Sequence, residues 1–149
     1  MIELSASLKL IMNLSKAHVV TARRMEQRLS THGLDFSDFS ILLILNYTPG
    51  HKIRRVDLAE KIGLAVSGVT RMLIPLEKIG LVKREAYARD ARKSYVSLTD
   101  TGKRVYLEAL VSADLVAQDI IPQDTISVSK AKKMDALTDI LQDLGGNII

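Results

Sequence analysis

Two groups of side chains in this chain have the types and spacing to do chemistry, and that chemistry is recognition of a polyanion. The first is Val66, Ser67, Gly68, Thr70 and Arg71, at the opening of a helix-periodic apolar segment. The second is Arg89, Asp90, Arg92 and Lys93, a basic run holding one acid. A guanidinium at Arg71 can bond guanine O6 and N7 together, a fork that lysine does not copy, for about 1–3 kcal/mol of discrimination. Ser67 and Thr70 suit phosphate oxygens, and Gly68 permits close backbone approach. The competing reading of Arg71 is a surface arginine held by a phosphate or carboxylate. For Ser67, Gly68 and Thr70 it is a plain helix-start role.

The surrounding pattern predicts the elements that must hold these groups. Leu58, Ala59 and Ile62 line one helical face, Gly63 breaks the chain, and Val69, Met72, Leu73, Leu76 and Ile79 line a second face that Gly80 stops. Two short amphipathic helices across such a turn present the second to a major groove. Residues 81–86 and 94–98 then alternate as two strands, with Val82, Val96 and Leu98 facing the body. The basic run falls between them, where a cationic hairpin tip suits a narrow minor groove. An acid beside phosphates is unfavourable unless it pairs, so Asp90 is assigned to orienting Arg92. The competing reading is a solvated loop with weak, screened pairing. Helix N-termini disfavour cations, so Arg54 and Arg55 at the start of the first short helix point to a DNA phosphate, with solvent as the alternative. Arg84 joins them in the expected phosphate set.

Longer elements flank this module. Leu4, Leu8, Ile11, Ser15, His18, Ala22, Met25 and Leu29 predict one amphipathic helix over residues 4–31. Phe36, Phe39, Ile41, Leu42, Leu43 and Leu45 predict a strongly buried second helix, stopped by Thr48-Pro49-Gly50. Thr99 caps a helix running to about Ile120, Pro122 breaks it, and Ser127 or Ser129 starts a last helix that buries Ala131, Met134, Leu137, Ile140, Leu141 and Leu144. The central module is too small to cover all these apolar stripes, whereas a second copy of the chain can. Sheltering each Leu, Ile or Val is worth about 1.5–3 kcal/mol, which makes a homodimer the expected state over a self-closed monomer.

The residues also resemble a known family, the winged-helix transcriptional regulators of the MarR (multiple antibiotic resistance regulator) type. Residues 34–45 resemble its second helix, LAEKIGLAVSGVTRMLIPLEKIGLVKRE its helix-turn-helix, and Arg89-Asp90-Ala91-Arg92 followed by YVSLTDTG its wing and exit. The match covers residues 34–110, and the wing is its specific part. The resemblance implies a mainly α fold, a winged helix-turn-helix with a two- to three-stranded β wing and long N- and C-terminal dimerisation helices. It implies one domain over 1–149, with 34–102 binding DNA and 1–33 and 103–149 dimerising. It also implies a pseudo-palindromic double-stranded operator, often released by a small molecule, with Arg71 at a base-reading position. Three residues depart from the pattern. Ala65 stands where a capping serine is common, at a cost of about 1 kcal/mol unless Ser67 takes over. Pro75 lies inside the second short helix, where a bend rather than a stop is expected. Ala91 replaces a common basic residue of the wing.

Charge and composition agree. The 149 residues carry a net charge of +4, but residues 51–104 hold 13 Lys/Arg against 6 Asp/Glu, and the remainder 8 against 11. Basic charge thus coincides with the groove-reading pattern. Cysteine is absent, which removes disulfides and the usual structural zinc sites. His18, His32 and His51 have no metal spacing, so no metal or other cofactor is expected. Lys16, His18 and Arg23 are candidates to meet an anionic effector between the terminal helices and the module, although His18 on an apolar stripe is also an ordinary interface histidine. No secretion signal and no membrane-length apolar segment is read, and a cytoplasmic protein is expected. No phosphate loop, nucleophile elbow or paired carboxylates argue for an enzyme. The alternative function is a winged-helix module that binds another protein, against which stands the absence of Trp.

Overall fold

The computed structural model describes residues 3–87, 89–122 and 128–149, and for Tyr87, Ala91, Arg92 and residues 128–130 the backbone alone. The first helix, α1, spans Ala6–Leu29, with the Ser5 side chain accepting from the Leu8 N–H at 3.2 Å. It is shorter than the periodicity predicts, because Ser30–His32 tighten into a single 3₁₀ turn before Gly33 takes a left-handed φ of 73°. Helix α2, Phe36–Tyr47, opens on a capping box in which Asp35 and Asp38 each accept the other's backbone N–H. Phe39, Ile41, Leu42, Ile44 and Leu45 are buried on several sides of α2, which therefore forms the centre of the core. Burial raises the Asp38 carboxyl above its ordinary range, with the Asp35 N–H pulling the other way and the Asp35 charge adding to the rise.

A strand, β1 (Lys52–Arg54), follows, then α3 (Arg55–Ile62) and α4 (Val66–Lys78), joined by a turn at Gly63 with φ 77°. Strands β2 (Val82–Tyr87) and β3 (Asp90–Leu98) complete an antiparallel sheet of order β1-β3-β2. The strand pattern did not single out β1, which has only three residues and pairs Ile53 with Val96 on the middle strand. Ile53, Val82 and Val96 turn inward against Leu58, Val69, Leu73 and Leu76, so sheet and helix pair share one core. Leu98 packs at its edge. Ile79, expected on the buried face of α4, is exposed because α4 ends before it.

Helix α5, Asp100–Ile120, is fused to this module at its first turn. The Thr99 hydroxyl accepts from the Gly102 N–H at 2.9 Å and lies 2.6 Å and 3.0 Å from the Gly80 and Leu81 carbonyls, while the Thr99 N–H donates to Leu81 O at 3.1 Å. α5 then packs along α1 and α2, with Tyr106 fully buried and its ring stacked on Phe39 at 5.6 Å. Burial pushes the Tyr106 phenol up, and the neighbouring Tyr47 adds to this. His32 reaches across from the 3₁₀ turn to Ser112, Nε2 to Oγ 2.8 Å.

The last helix, α6, spans Val128–Asp143, so Ser127 lies outside the described residues and Ser129 falls inside the helix. Its expected buried face is open in the single chain. Leu137 is 51% exposed, Ile140 and Leu144 are likewise exposed, Ala131 is exposed and Met134 and Leu141 are half-buried. On α5, Val111 and Leu115 are 63% and 60% exposed, and on α1 Leu8, Leu10, Ile11 and Met12 are exposed. The apolar stripes thus exist, but one chain does not cover them.

Gly102 shows how tight the joint is. A Cβ built there would lie 1.9 Å from the Leu81 carbonyl oxygen, a backbone atom that cannot swing away. Gly102→Ala is expected to cost at least about 2–3 kcal/mol, at the upper end of overpacking effects, read as a lower urea midpoint with an unchanged slope. A midpoint equal to that of the parent chain would mean that α5 is not docked on Leu81.

Candidate nucleic-acid interface

α3 and α4 form a helix-turn-helix, and α4 is held against the sheet by Leu73 and Leu76 with its opposite face open. The N-cap of α4 is Ala65, which makes no side-chain cap bond, and the helix begins at Val66 without Ser67 taking over. The first-turn N–H groups therefore keep their donors for an outside acceptor. The helix continues through Pro75 to Lys78, as the apolar pattern predicted. Val66, Ser67 and Arg71 are exposed, and Gly68 and Thr70 are half-buried. Among the described residues, no hydrogen bond or ion pair holds the Arg71 side chain.

The Thr70 hydroxyl is committed on two sides. It donates to the Val66 carbonyl at 2.9 Å and accepts from Arg55 Nη1 at 3.1 Å. Arg55, expected at phosphate, is thus directed to a neighbouring helix, and its Nε is buried without a partner among the described residues. Arg54 makes a two-pronged ion pair with Asp57, Nε–Oδ2 2.7 Å and Nη2–Oδ1 2.9 Å, which holds its guanidinium pKa above the usual value. Asp57, in the first turn of α3, offsets the unfavourable placement of a cation at that helix start without any DNA. Arg84, the third expected phosphate ligand, pairs across to Glu77 of α4. Lys52 pairs with Glu85 and lies 5.1 Å from the Tyr95 ring centroid, and this bond lowers the Glu85 pKa.

The wing is built differently from the sequence reading. β3 begins at Asp90, directly after Arg89, and pairs Asp90 with Tyr87. Asp90, Arg92 and Lys93 are strand residues, not a loop. The register shifts between Ala86↔Ser94 and Tyr87↔Asp90, a bulge that sequence alternation does not announce. Arg89 and Lys93 are exposed, and no ion pair or hydrogen bond holds either side chain among the described residues. Asp90 is half-buried, and its assignment to Arg92 falls on a side chain outside the described residues.

The expected effector residues do not converge in the single chain. Lys16, His18 and Arg23 are all exposed on α1. A 370 Å³ cavity lies between α4 and the hairpin, and two of 160 Å³ lie beside the end of α2 and between α5 and α6. The three candidates line none of these. Among the described residues there is no cluster of three metal-ligating groups, and no helix is long and apolar enough to cross a membrane.

A helix-turn-helix backed by a three-stranded wing, with cations on α4 and on the hairpin that are unpaired among the described residues, defines a winged-helix DNA-binding protein. Residues 35–94 match the model of the MarR family. The chain is 31% identical over 112 residues to the homoprotocatechuate degradative operon repressor of Escherichia coli, covering 75% of this chain and 71% of the relative. It superimposes on Sco3205, a MarR family transcriptional regulator of Streptomyces coelicolor solved in complex with DNA, with a TM-score of 0.81, 21% identity and coverage of 96% and 90%. CouR from Rhodococcus jostii, solved bound to p-coumaroyl-CoA, gives 0.80, 19% and 96% of each chain. The protein belongs to the MarR family of transcriptional regulators.

The carboxylates that hold these cations are what sequence reasoning missed. Asp57 was legible, three residues after Arg54, whereas Glu77 and Glu85 meet their partners only through the fold. Arg54→Ala is expected to make the salt dependence of duplex binding shallower by about 0.9 in log K against log salt, read by fluorescence anisotropy. An unchanged slope would place Arg54 off the DNA backbone.

Proposed function

We propose that the chain acts as a homodimer on a pseudo-palindromic duplex operator, as a repressor released by a small molecule. The observation that carries this is the coincidence of two unmet demands. Among the described residues Arg71, Arg89 and Lys93 are cations without an internal partner, and the stripes on α1, α5 and α6 are apolar faces without a cover. Duplex DNA answers the first and a second copy answers the second. In this reading Val66, Ser67, Gly68, Thr70 and Arg71 enter the major groove, with Arg71 reading guanine. Arg89, Asp90, Arg92 and Lys93 follow the minor groove, and Arg54 and Arg84 exchange part of their carboxylate pairing for phosphate.

Residues 34–102 are the reader, and 1–33 and 103–149 the clasp. Repression and an effector are carried over from relatives, one named a repressor and another solved with a ligand. An effector would act only by favouring a dimer whose readers stand at the wrong separation. Lys16, His18 and Arg23 on α1 remain candidates to meet it once the second copy is in place. Binding and release of DNA need no catalysis, and we assign the protein no enzymatic activity and a cytoplasmic location.

The test is selection of bound sequences from a random duplex pool, followed by variants on the selected site. Arg71→Lys is expected to lose about 1–3 kcal/mol on that site while binding random duplex as before. Equal losses on both would make Arg71 a phosphate ligand. Val111→Glu is expected to sediment as a monomer at micromolar concentration and to lose the operator. A variant that remains dimeric would place the clasp elsewhere.

A further inference from the structure

We infer that Thr70 reads the methyl group of a thymine and that Arg55 is the positioning residue that sets it to do so. The inference rests on the DNA-reading function proposed above. The hydroxyl of Thr70 has one proton, and it goes to the Val66 carbonyl at 2.9 Å. Arg55 Nη1 donates to the same oxygen at 3.1 Å. An oxygen fixed on two sides also fixes Cγ2, because both branch from one Cβ and turn together about χ1. Thr70 therefore has no O–H left to give a phosphate, and its unengaged group is a methyl. It immediately precedes Arg71 in the turns of α4 proposed to enter the groove. Thymine is the base whose major-groove edge carries a methyl, and apolar contact is how it is told from the other bases.

Arg55 suits this role because its position is determined from within the protein. It starts α3 and lines the 370 Å³ cavity between α4 and the hairpin with Leu73, Glu77, Arg84, Glu85 and Tyr95. On that cavity Glu77 and Glu85 are taken by Arg84 and Lys52, and the Arg55 Nε is buried without a partner among the described residues. Its bond to Thr70 runs from the first residue of one helix to the second turn of the other, so it sets both the threonine rotamer and the rotation of α4.

The experiment is a uracil scan. Each thymine of the selected operator is replaced in turn by deoxyuridine, which lacks only the 5-methyl group, and affinity is read by fluorescence anisotropy. For the parent chain, one thymine in each half-site is expected to show about a four-fold loss, the ratio that burial of one methyl group supplies. Thr70→Ser keeps the hydroxyl and removes the methyl, so it is expected to abolish the thymine-to-uracil ratio at that position. Arg55→Met keeps the apolar stem and is expected to lower the same ratio with the salt slope unchanged, whereas loss of a phosphate ligand would make the slope shallower by about 0.9. Arg55→Lys, which retains a donor, is expected to restore part of the ratio, and thermal melts establish that each variant is folded. A parent chain that binds its operator tightly but ignores every uracil, or a Thr70→Ser variant with the parent's ratio, would overturn the methyl contact. An Arg55→Met variant with an unaltered ratio would overturn the positioning role. A parent chain that binds no duplex would instead overturn the DNA-reading function on which both stand.

Discussion

The constraint on which the rest of this structure depends is the backbone contact between Leu81 and Gly102. Leu81 begins the wing and Gly102 lies in the first turn of α5, and nothing larger than a hydrogen fits between them. Thr99 locks the same place with its side chain on the Gly80–Leu81 carbonyls and its oxygen on the α5 N-terminus. The DNA-reading module and the long helix α5 therefore share one rigid joint rather than a linker. Whatever fixes the direction of α5 fixes the direction of α4, which is what a regulator needs if events at its dimer interface are to be felt at a groove.

Electrostatics divides the basic surface into two kinds of charge. Lys52, Arg54 and Arg84 are held by Glu85, Asp57 and Glu77 at exposed or half-exposed sites, where such pairs are worth little and exchange readily for a phosphate. Arg71, Arg89 and Lys93 have no such counterpart among the described residues. The paired set braces α3, α4 and the sheet against one another, and the unpaired set is the footprint offered to a polyanion. Net charge alone would have merged these groups, although their contributions to fold and to recognition differ.

Much of this was legible in the sequence because the signals were local. Gly33 and Gly63 have left-handed φ where they end helical segments, Thr99 caps α5, and the spacing in α4 buries Val69, Leu73 and Leu76. The misses have a common cause in pairing across distance. β1 is too short for alternation to register and exists only because β3 offers it a partner. The polar residues from Asp90 to Lys93 read as loop, yet they lie in β3, where Asp90 pairs with Tyr87 and the register shifts before Ser94 pairs with Ala86. Ala65 removes the side-chain cap without displacing the helix start, because packing of Val69 and Leu73 sets where α4 begins. The commitments of Arg55 to Thr70 and of Glu77 to Arg84 follow from tertiary placement, and no spacing rule announces them.

The exposed stripes of α1, α5 and α6 and the rigid joint together make one geometric claim, that a dimer holds two readers at a fixed separation one duplex turn apart. The most direct measurement is affinity for operators in which base pairs are inserted between the half-sites. Adding about five base pairs, half a helical turn, turns one half-site to the far side of the duplex and should reduce binding to that of a single half-site. Affinity indifferent to the insertion would contradict the account.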